Sequence, residues 1–339
     1  MTTYQLAAWA RVPGARIVAI ADLAFDRAQE QAAAFSIPHA YPSAAALLDS
    51  EAELDFIDIA TPPGTHQELV ALAIARGLPI NCQKPFAPDL AQARAMIATC
   101  CQAGVLLNIN ENWRWRSWFR EARDLVAAGA IGRPVYFRLF AHGSGLLASL
   151  RPAHPRTYAL DRLILYEWGI HHFDVLRFLF GEPRSIYART MHINQTASGE
   201  DRAVVILNFD TLVAVLDYSW SSYAPHGVPD RETHVLEDIR IEGERGTICL
   251  YPDPVRGDRF RLTTADGDQD RPAYSVRPID AYLQSYVAAQ AHFIDCLRTG
   301  STPETSADDN FKTLAAMLAA YHSAECGQVV DIAAFQAAG

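Results

Sequence analysis

"LDFIDIATPPGTHQELVALAIARGLPINCQKP" occupies residues 54–85, and its alternation decides the fold class. The apolar run from Leu54 stops at Pro62-Pro63, which reads as a buried strand and its exit. Residues 65–77 repeat apolar side chains at helical spacing and end on Gly77, the usual residue just past a helix. Residues 79–85 return to a short strand that Pro85 closes. Strand, helix and strand in about thirty residues make a βαβ unit, and such units build parallel sheets.

The same grammar extends on both sides. Residues 89–104 read as a helix with Asp89 as N-cap and a glycine close, followed by a strand at 105–110. Upstream, 26–35 is helical in composition and 16–21 (Arg-Ile-Val-Ala-Ile-Ala) reads as a buried strand closed by Asp22. After about residue 113 the character changes. One helix covers 117–128, and β stretches follow at 133–142, 184–194, 202–209, 212–220, 236–242 and 246–251. The Gly-Glu-Arg-Gly of "IEGERGTICLY" suits a hairpin turn between the last two. Strands without intervening helices indicate an antiparallel sheet. A helix at about 168–180 interrupts the series, and helices at about 280–299 and 306–326 close the chain. The expected class is α/β. A Rossmann-type parallel sheet fills residues 1–113, and residues 114–339 form an α+β domain with a large, mostly antiparallel open sheet.

Half of the 339 residues are hydrophobic and a fifth charged, with a formal charge of −10. The acidic balance argues against nucleic acid or a membrane surface as partner, since either selects a basic face. No apolar run approaches the ~20 residues of a membrane helix, and no signal peptide is visible. The six cysteines (Cys82, Cys100, Cys101, Cys249, Cys296 and Cys326) form no Cys-x-x-Cys pair. They read as reduced thiols of a cytoplasmic protein, with no metal site expected.

Ligands of open parallel sheets bind beyond the carboxyl ends of the strands. Three such ends carry chemistry: Asp22, the Thr61–His66 loop, and Gln83-Lys84-Pro85. Taken alone, Lys84 reads either as a site lysine aimed by the following proline or as a side chain snorkelling to the surface. The second cluster is "YEWGIHHFDVLRFLFGEP" (166–183). Helical spacing puts Glu167, His171 and Asp174 or Val175 along one side. A carboxylate one turn before a histidine can orient the ring and raise its basicity. The same histidines read equally as packed residues of the sheet domain. "NWRWRSWFR" (112–120) alternates tryptophan with arginine, as a single-strand nucleic-acid platform could. The acidic balance favours packing aromatics instead.

Read in order, "AIAD", "ATPPGTH", a lysine-proline after the next strand and "G-I-H-x-x-D-x-x-x-x-L-x-G" (169–181) resemble the glucose-fructose oxidoreductase / inositol dehydrogenase / rhizopine-catabolism (Gfo/Idh/MocA) family. The likeness covers nearly the whole chain. It implies an NAD-dependent oxidoreductase, with NADP less favoured, that takes hydride from a hydroxyl carbon of a sugar or polyol. The family's Glu-Lys-Pro falls on Gln83-Lys84-Pro85, which gives Lys84 a place beside the nicotinamide and the reacting hydroxyl. Its acid-x-x-x-His pair falls on Glu167 and His171, with His171 the proton acceptor. Glu167 stands where the family often has aspartate. Gln83 removes a charge beside Lys84. The resemblance also matches Asp22 to the adenosine ribose, sets Thr61, Pro62, His66 and Gln83 along the cofactor, and turns Arg114 and His172 with Glu167 and His171 toward substrate. "CQKPF" and "NENWRWRSWFRE" (110–121) are similar to a subgroup that includes D-apiose dehydrogenases, which implies an aldose oxidised to its lactone. A homodimer or homotetramer through the C-terminal sheet is expected as well. The competing reading is a catalytically inactive homologue, a sugar-sensing or dimerising module.

An acid that holds a ribose needs an earlier strand and a glycine-rich turn about 20 residues upstream. Met1 leaves no room for either. The expectation is that the first strand and its turn are absent, and that upstream in-frame codons encode them.

Overall fold

The computed structural model describes residues 2–143, 159–194, 197–221, 237–253 and 256–339. Met1 and residue 236, on which two of the expectations touch, lie outside them. The chain divides into two compact units: Met1–Asn112 with Leu283–Lys312, and Trp113–Tyr282 with Thr313–Gly339.

The first unit alternates helices and parallel strands. In chain order it runs α1 (Thr2–Trp9), β1 (Ala19–Ala21), α2 (Phe25–Phe35), β2 (His39–Tyr41), α3 (Ala44–Ser50), β3 (Ile57–Ile59), α4 (His66–Ala75), β4 (Ile80–Gln83), α5 (Leu90–Ala103) and β5 (Leu107–Asn110). Two parallel sheets result, β1-β2 and β3-β4-β5. The helix ends follow the residues foreseen for them. Asp89 accepts from the Gln92 amide at 2.8 Å, and Gly104 closes α5 at φ +66°, a conformation that costs glycine little. The strands are shorter than their apolar runs, because pairing covers only part of each run.

One face of β3-β4-β5 is polar, which is unusual for a parallel sheet. Asp58, Asn81 and Asn108 stand in register across the three strands. The Thr305 hydroxyl donates to Asn108 Oδ1 (3.2 Å), Asn108 Nδ2 to Asn81 Oδ1 (2.8 Å) and Asn81 Nδ2 to Asp58 Oδ1 (2.6 Å). Burial pushes the Asp58 carboxyl up to about 6, against the pull of the Asn81 and Trp9 bonds. The apolar core joins distant segments. Trp9, Val12, Phe293 and Ile294 form one cluster, with Phe56 and Ile17 against it. Leu6, Ala32 and Ile37 form another.

The second unit is built on a nine-stranded sheet. Its strands are β6 (Pro134–His142), β7 (Ser185–Met191), β8 (Arg202–Asn208), β9 (Val213–Ser219), β10 (Glu237–Gly243), β11 (Gly246–Tyr251), β12 (Arg259–Thr264), β13 (Gly267–Pro272) and β14 (Val330–Asp331). The order is β13-β12-β11-β10-β6-β9-β8-β7-β14, antiparallel except for the β6–β9 pair. Alternate residues such as Phe137, Leu139, Val205, Leu207, Ala214, Leu216, Ile239 and Ile241 are buried on the inner face. The other face keeps Phe140 and Val213 partly exposed. The β10–β11 hairpin turns through the Gly-Glu-Arg-Gly stretch. Gly243 there is irreplaceable, since a Cβ would overlap the Ile131 carbonyl. α6 (Ser117–Ala127) and α7 (Ile170–Phe180) belong to this unit, and Ile170, Phe173 and Leu176 are fully buried. The expected helix at 168–180 begins as a π-helical turn, Leu165–Gly169, that runs directly into α7. No helix among the described residues is long and apolar enough to cross a membrane.

Candidate active site

In the first unit the expected residues stand where the strands end. Asp22 follows β1, exposed, with Oδ1 accepting from the Ala24 amide at 2.8 Å; Leu23 beside it is 88% exposed. The Thr61–His66 loop follows β3. The Thr65 hydroxyl lies 2.8 Å from Thr61 Oγ1 and 2.9 Å from the Pro62 carbonyl. His66 is fully buried, with Nε2 2.8 Å from the Thr61 carbonyl and Nδ1 3.0 Å from that of Phe86. Burial lowers its pKa, partly offset by the Thr61 and Phe86 carbonyls. The ring thus ties the loop after β3 to the loop after β4, and His66 shapes the backbone of both.

Gln83 and Asn110 end β4 and β5 as register partners. Gln83 is 6% exposed; its Oε1 accepts from the Lys84 amide at 2.8 Å, and its Nε2 has no partner among the described residues. Asn110 Nδ2 is likewise buried without one among those residues. Two orphaned donors are costly unless a ligand oxygen meets them. With the Asp22 carboxylate, which suits a ribose diol, these groups fit a dinucleotide at the carboxyl ends of the strands. Lys84, next to Gln83, is 5% exposed.

In the second unit a turn at Trp113–Trp115 packs against α7. Trp113 stacks on His171 with ring centroids 4.5 Å apart and planes 3° apart, and meets His172 edge-on at 4.8 Å. Arg114 grips Asp174 in a buried fork, Nε–Oδ2 2.8 Å and Nη2–Oδ1 2.6 Å, and the Thr313 hydroxyl donates to the same carboxylate. The fork braces α7 to the 113–115 turn. Trp113, Arg114, Arg116 and Trp118 are each at most 5% exposed. These four side chains are packed inside the unit, as the aromatic-packing reading of the segment expects.

Glu167 lies in the π turn and His171 is the second residue of α7. π turns recur at functional sites. This one is tethered from outside: Glu200 accepts from the Leu163 and Leu165 amides at 2.9 and 3.1 Å, and from the Tyr321 hydroxyl at 2.5 Å. That hydroxyl in turn accepts from the Tyr166 amide. Glu200 and Glu237 carry no mark as site residues in the sequence, and Trp113 enters there only as one letter of the 110–121 stretch. Asn110 shows a trace, as the last polar position of an alternating strand.

Residues 1–111 match the oxidoreductase family with an NAD-binding Rossmann fold, and residues 119–249 match the GFO/IDH/MocA C-terminal domain. The chain belongs to the Gfo/Idh/MocA oxidoreductase family. Among curated relatives, a D-apiose dehydrogenase of Paraburkholderia graminis is 37% identical, covering 98% of this chain and 87% of the relative. One of Rhizobium rhizogenes is 36% identical over 97% and 94%. Among solved structures, an oxidoreductase from Agrobacterium radiobacter in complex with NAD+, L-tartaric acid and magnesium superposes with a TM-score of 0.89 at 34% identity, covering 98% of this chain and 96% of that one. The family membership carries the cofactor: the first unit has the family's NAD-binding fold, and the chain is an oxidoreductase.

Proposed function

We propose that the chain is an NAD-dependent sugar dehydrogenase whose substrate is a free aldose of the apiose kind, oxidised at its anomeric carbon to the lactone. The observation that carries this reading is the 36–37% identity, over nearly the whole chain, to two D-apiose dehydrogenases. The first unit serves the cofactor and the second the sugar and the oligomer. NAD, when bound, supplies the hydride acceptor. Asp22 holds the adenosine ribose and repels a 2′-phosphate, which favours NAD over NADP. Thr61, Pro62 and Gln83 line the cofactor, with His66 bracing the loop behind them. Lys84 presents its ammonium to the nicotinamide end. His171 takes the hydroxyl proton as hydride leaves the same carbon, Glu167 orients it, and Arg114 and His172 hold the walls around it. The protein acts in the cytoplasm as a dimer or tetramer formed through the open sheet face.

The test is a screen of aldoses and polyols with NAD and NADP, read as absorbance of the reduced cofactor, with the product identified as a lactone. D-apiose is expected among the best substrates by kcat/KM. A full-length protein that reduces NAD with no aldose refutes the substrate assignment. If it reduces neither cofactor with any sugar or polyol, the inactive-homologue reading replaces it.

A further inference from the structure

A buried charge stands behind the histidine pair. Glu237, the first residue of β10, is fully buried. Its Oε1 lies 3.3 Å from His172 Nε2 and its Oε2 lies 3.4 Å from the Arg116 guanidinium, itself 1% exposed. The guanidinium sits 3.6 Å over the indole of Trp113, the ring on which His171 stacks. His172 touches the edge of that indole. The carboxylate thus meets His172 directly, and the guanidinium paired with it lies on the one indole that borders both histidines.

We propose that Glu237 is a positioning residue for His171: with Arg116 and Trp113 it forms a buried charge-balanced frame that fixes the imidazole plane and sets its proton affinity. The inference rests on the proposed role of His171 as proton acceptor. A carboxylate held in a dry interior stabilises a nearby imidazolium far more than it would in water. Arg116 opposes it, and the two together hold the site near neutral. The indole face adds a preference for a flat cation, which is the form His171 takes after accepting the proton. Burial pushes the Glu237 carboxyl up, but Arg116, His172 and His171 outweigh it and hold it below the usual glutamate range, so it stays charged at working pH.

Further titratable and charged groups of the unit stand around this cluster. Arg114 and Asp174 neutralise each other in their fork. Tyr218 and Tyr274 have pKa values raised by burial and stay neutral. Tyr282 lies under the Arg116 guanidinium at 5.4 Å. Asp258 accepts from the Tyr274 hydroxyl. Glu167 is on the adjoining turn. Glu237 is in contact with the His172 ring, and Arg116 with the Trp113 indole that stacks on His171.

The pH dependence of kcat/KM for sugar oxidation tests the inference. His171 must be neutral to act, so activity falls on the acidic side. Removing the Glu237 charge lowers the proton affinity of His171, and Glu237→Gln should move that limb about one unit to lower pH, a roughly tenfold change in proton affinity. Arg116→Gln removes the opposing charge and should move it upward. Packing damage alone does not give shifts of opposite sign. Glu237→Asp, which keeps the charge, should hold the limb near its original place and covers the case where Glu237→Gln does not fold. A limb that stays put in both Glu237→Gln and Arg116→Gln, or stays put in Glu237→Gln while kcat alone drops, overturns the inference. His171→Gln separates the two levels. If the acidic limb survives in that variant, the proton-acceptor role itself is wrong. If His171→Gln abolishes the limb while Glu237→Gln leaves it unmoved, only the frame is wrong.

Discussion

Replacing Glu200 should loosen the helix that carries Glu167 and His171, and the size of the effect can be worked from its bonds. The residue is 8% exposed, and its carboxylate accepts from two backbone amides at the start of the π turn and from the Tyr321 phenol. Its own backbone carbonyl accepts from Ile164, so the segment 163–165 is held at three successive amides. Hydrogen bonds to a charged acceptor contribute ~1.5–3 kcal/mol each. Glu200→Ala leaves three buried donors without that acceptor, and with partial relaxation the loss should be about 4–6 kcal/mol. In a unit of this size that corresponds to roughly 8–20 °C in Tm. Glu200→Gln keeps one acceptor oxygen and should lose about 2 kcal/mol. Scanning calorimetry with urea melts measures both, and titration of NADH fluorescence supplies the control. NADH affinity should be unchanged, because the residues assigned to the cofactor lie in the other unit, while kcat falls. Gly199→Ala should reproduce the defect, because a Cβ there meets the Leu160 carbonyl at 2.6 Å and the Asp161 carbonyl at 2.9 Å. If Glu200→Ala melts within about 2 °C of the wild type, less than ~1 kcal/mol is at stake and the tether argument fails.

Three further outcomes are expected. Asp58 holds its proton more tightly folded (about 6) than unfolded, so its contribution favours folding below about pH 4 and is lost as pH rises through 6. Asp58→Asn should therefore raise the urea midpoint at pH 8 by the equivalent of ~2–3 kcal/mol and leave it unchanged near pH 4; an equal change at both pH values rules the argument out. Asp174→Asn strands the Arg114 guanidinium and should cost ~3–5 kcal/mol, whereas the double replacement Arg114→Met/Asp174→Leu should cost clearly less; equal losses in thermal melts would contradict this. Lys84→Ala and His171→Ala should each lower kcat by roughly 10²–10⁴, with NADH binding retained in the histidine variant, and near-normal turnover in either would displace the chemistry from these residues.

Legibility followed the range of the interactions. The Asp89 cap, the Gly104 close and the Gly-Glu-Arg-Gly hairpin are local devices, and each was readable from a few neighbouring letters. β2 and α3 were not, since three residues (His39–Tyr41) and seven (Ala44–Ser50) give too little periodicity to count. β12 and β13 escaped for another reason: "RFRLTT" and "GDQDRP" lack the apolar content of a core strand, and they pair near the sheet edge. The π turn left no trace, because its extra residue per turn is set by contacts from Glu200 and Tyr321. At the site, Lys84, Glu167 and His171 stood out through ordered motifs. Glu237 did not, since 65 positions separate it from the His172 ring it meets. The polar ladder was visible only as alternation in "INCQ" and "LNIN"; its anchor, Thr305, lies almost 200 residues downstream of Asn108.

The first unit is discontinuous, and that has a consequence for how the protein is made. Trp9 and Phe56 pack against Phe293, and Asn108 waits for Thr305. On the ribosome the whole stretch Trp113–Tyr282 emerges before those partners do. At about 5–20 residues per second, the nascent strands stand with part of their core uncovered for roughly 10–40 s. The second unit, whose nine-stranded sheet closes only when Val330–Asp331 joins β7, must also wait for the end of translation. Neither unit can be completed before the other is nearly synthesised. A chain cut short between about residues 200 and 313 releases two unfinished cores together, so chaperone dependence and aggregation should be highest for truncated products in that range.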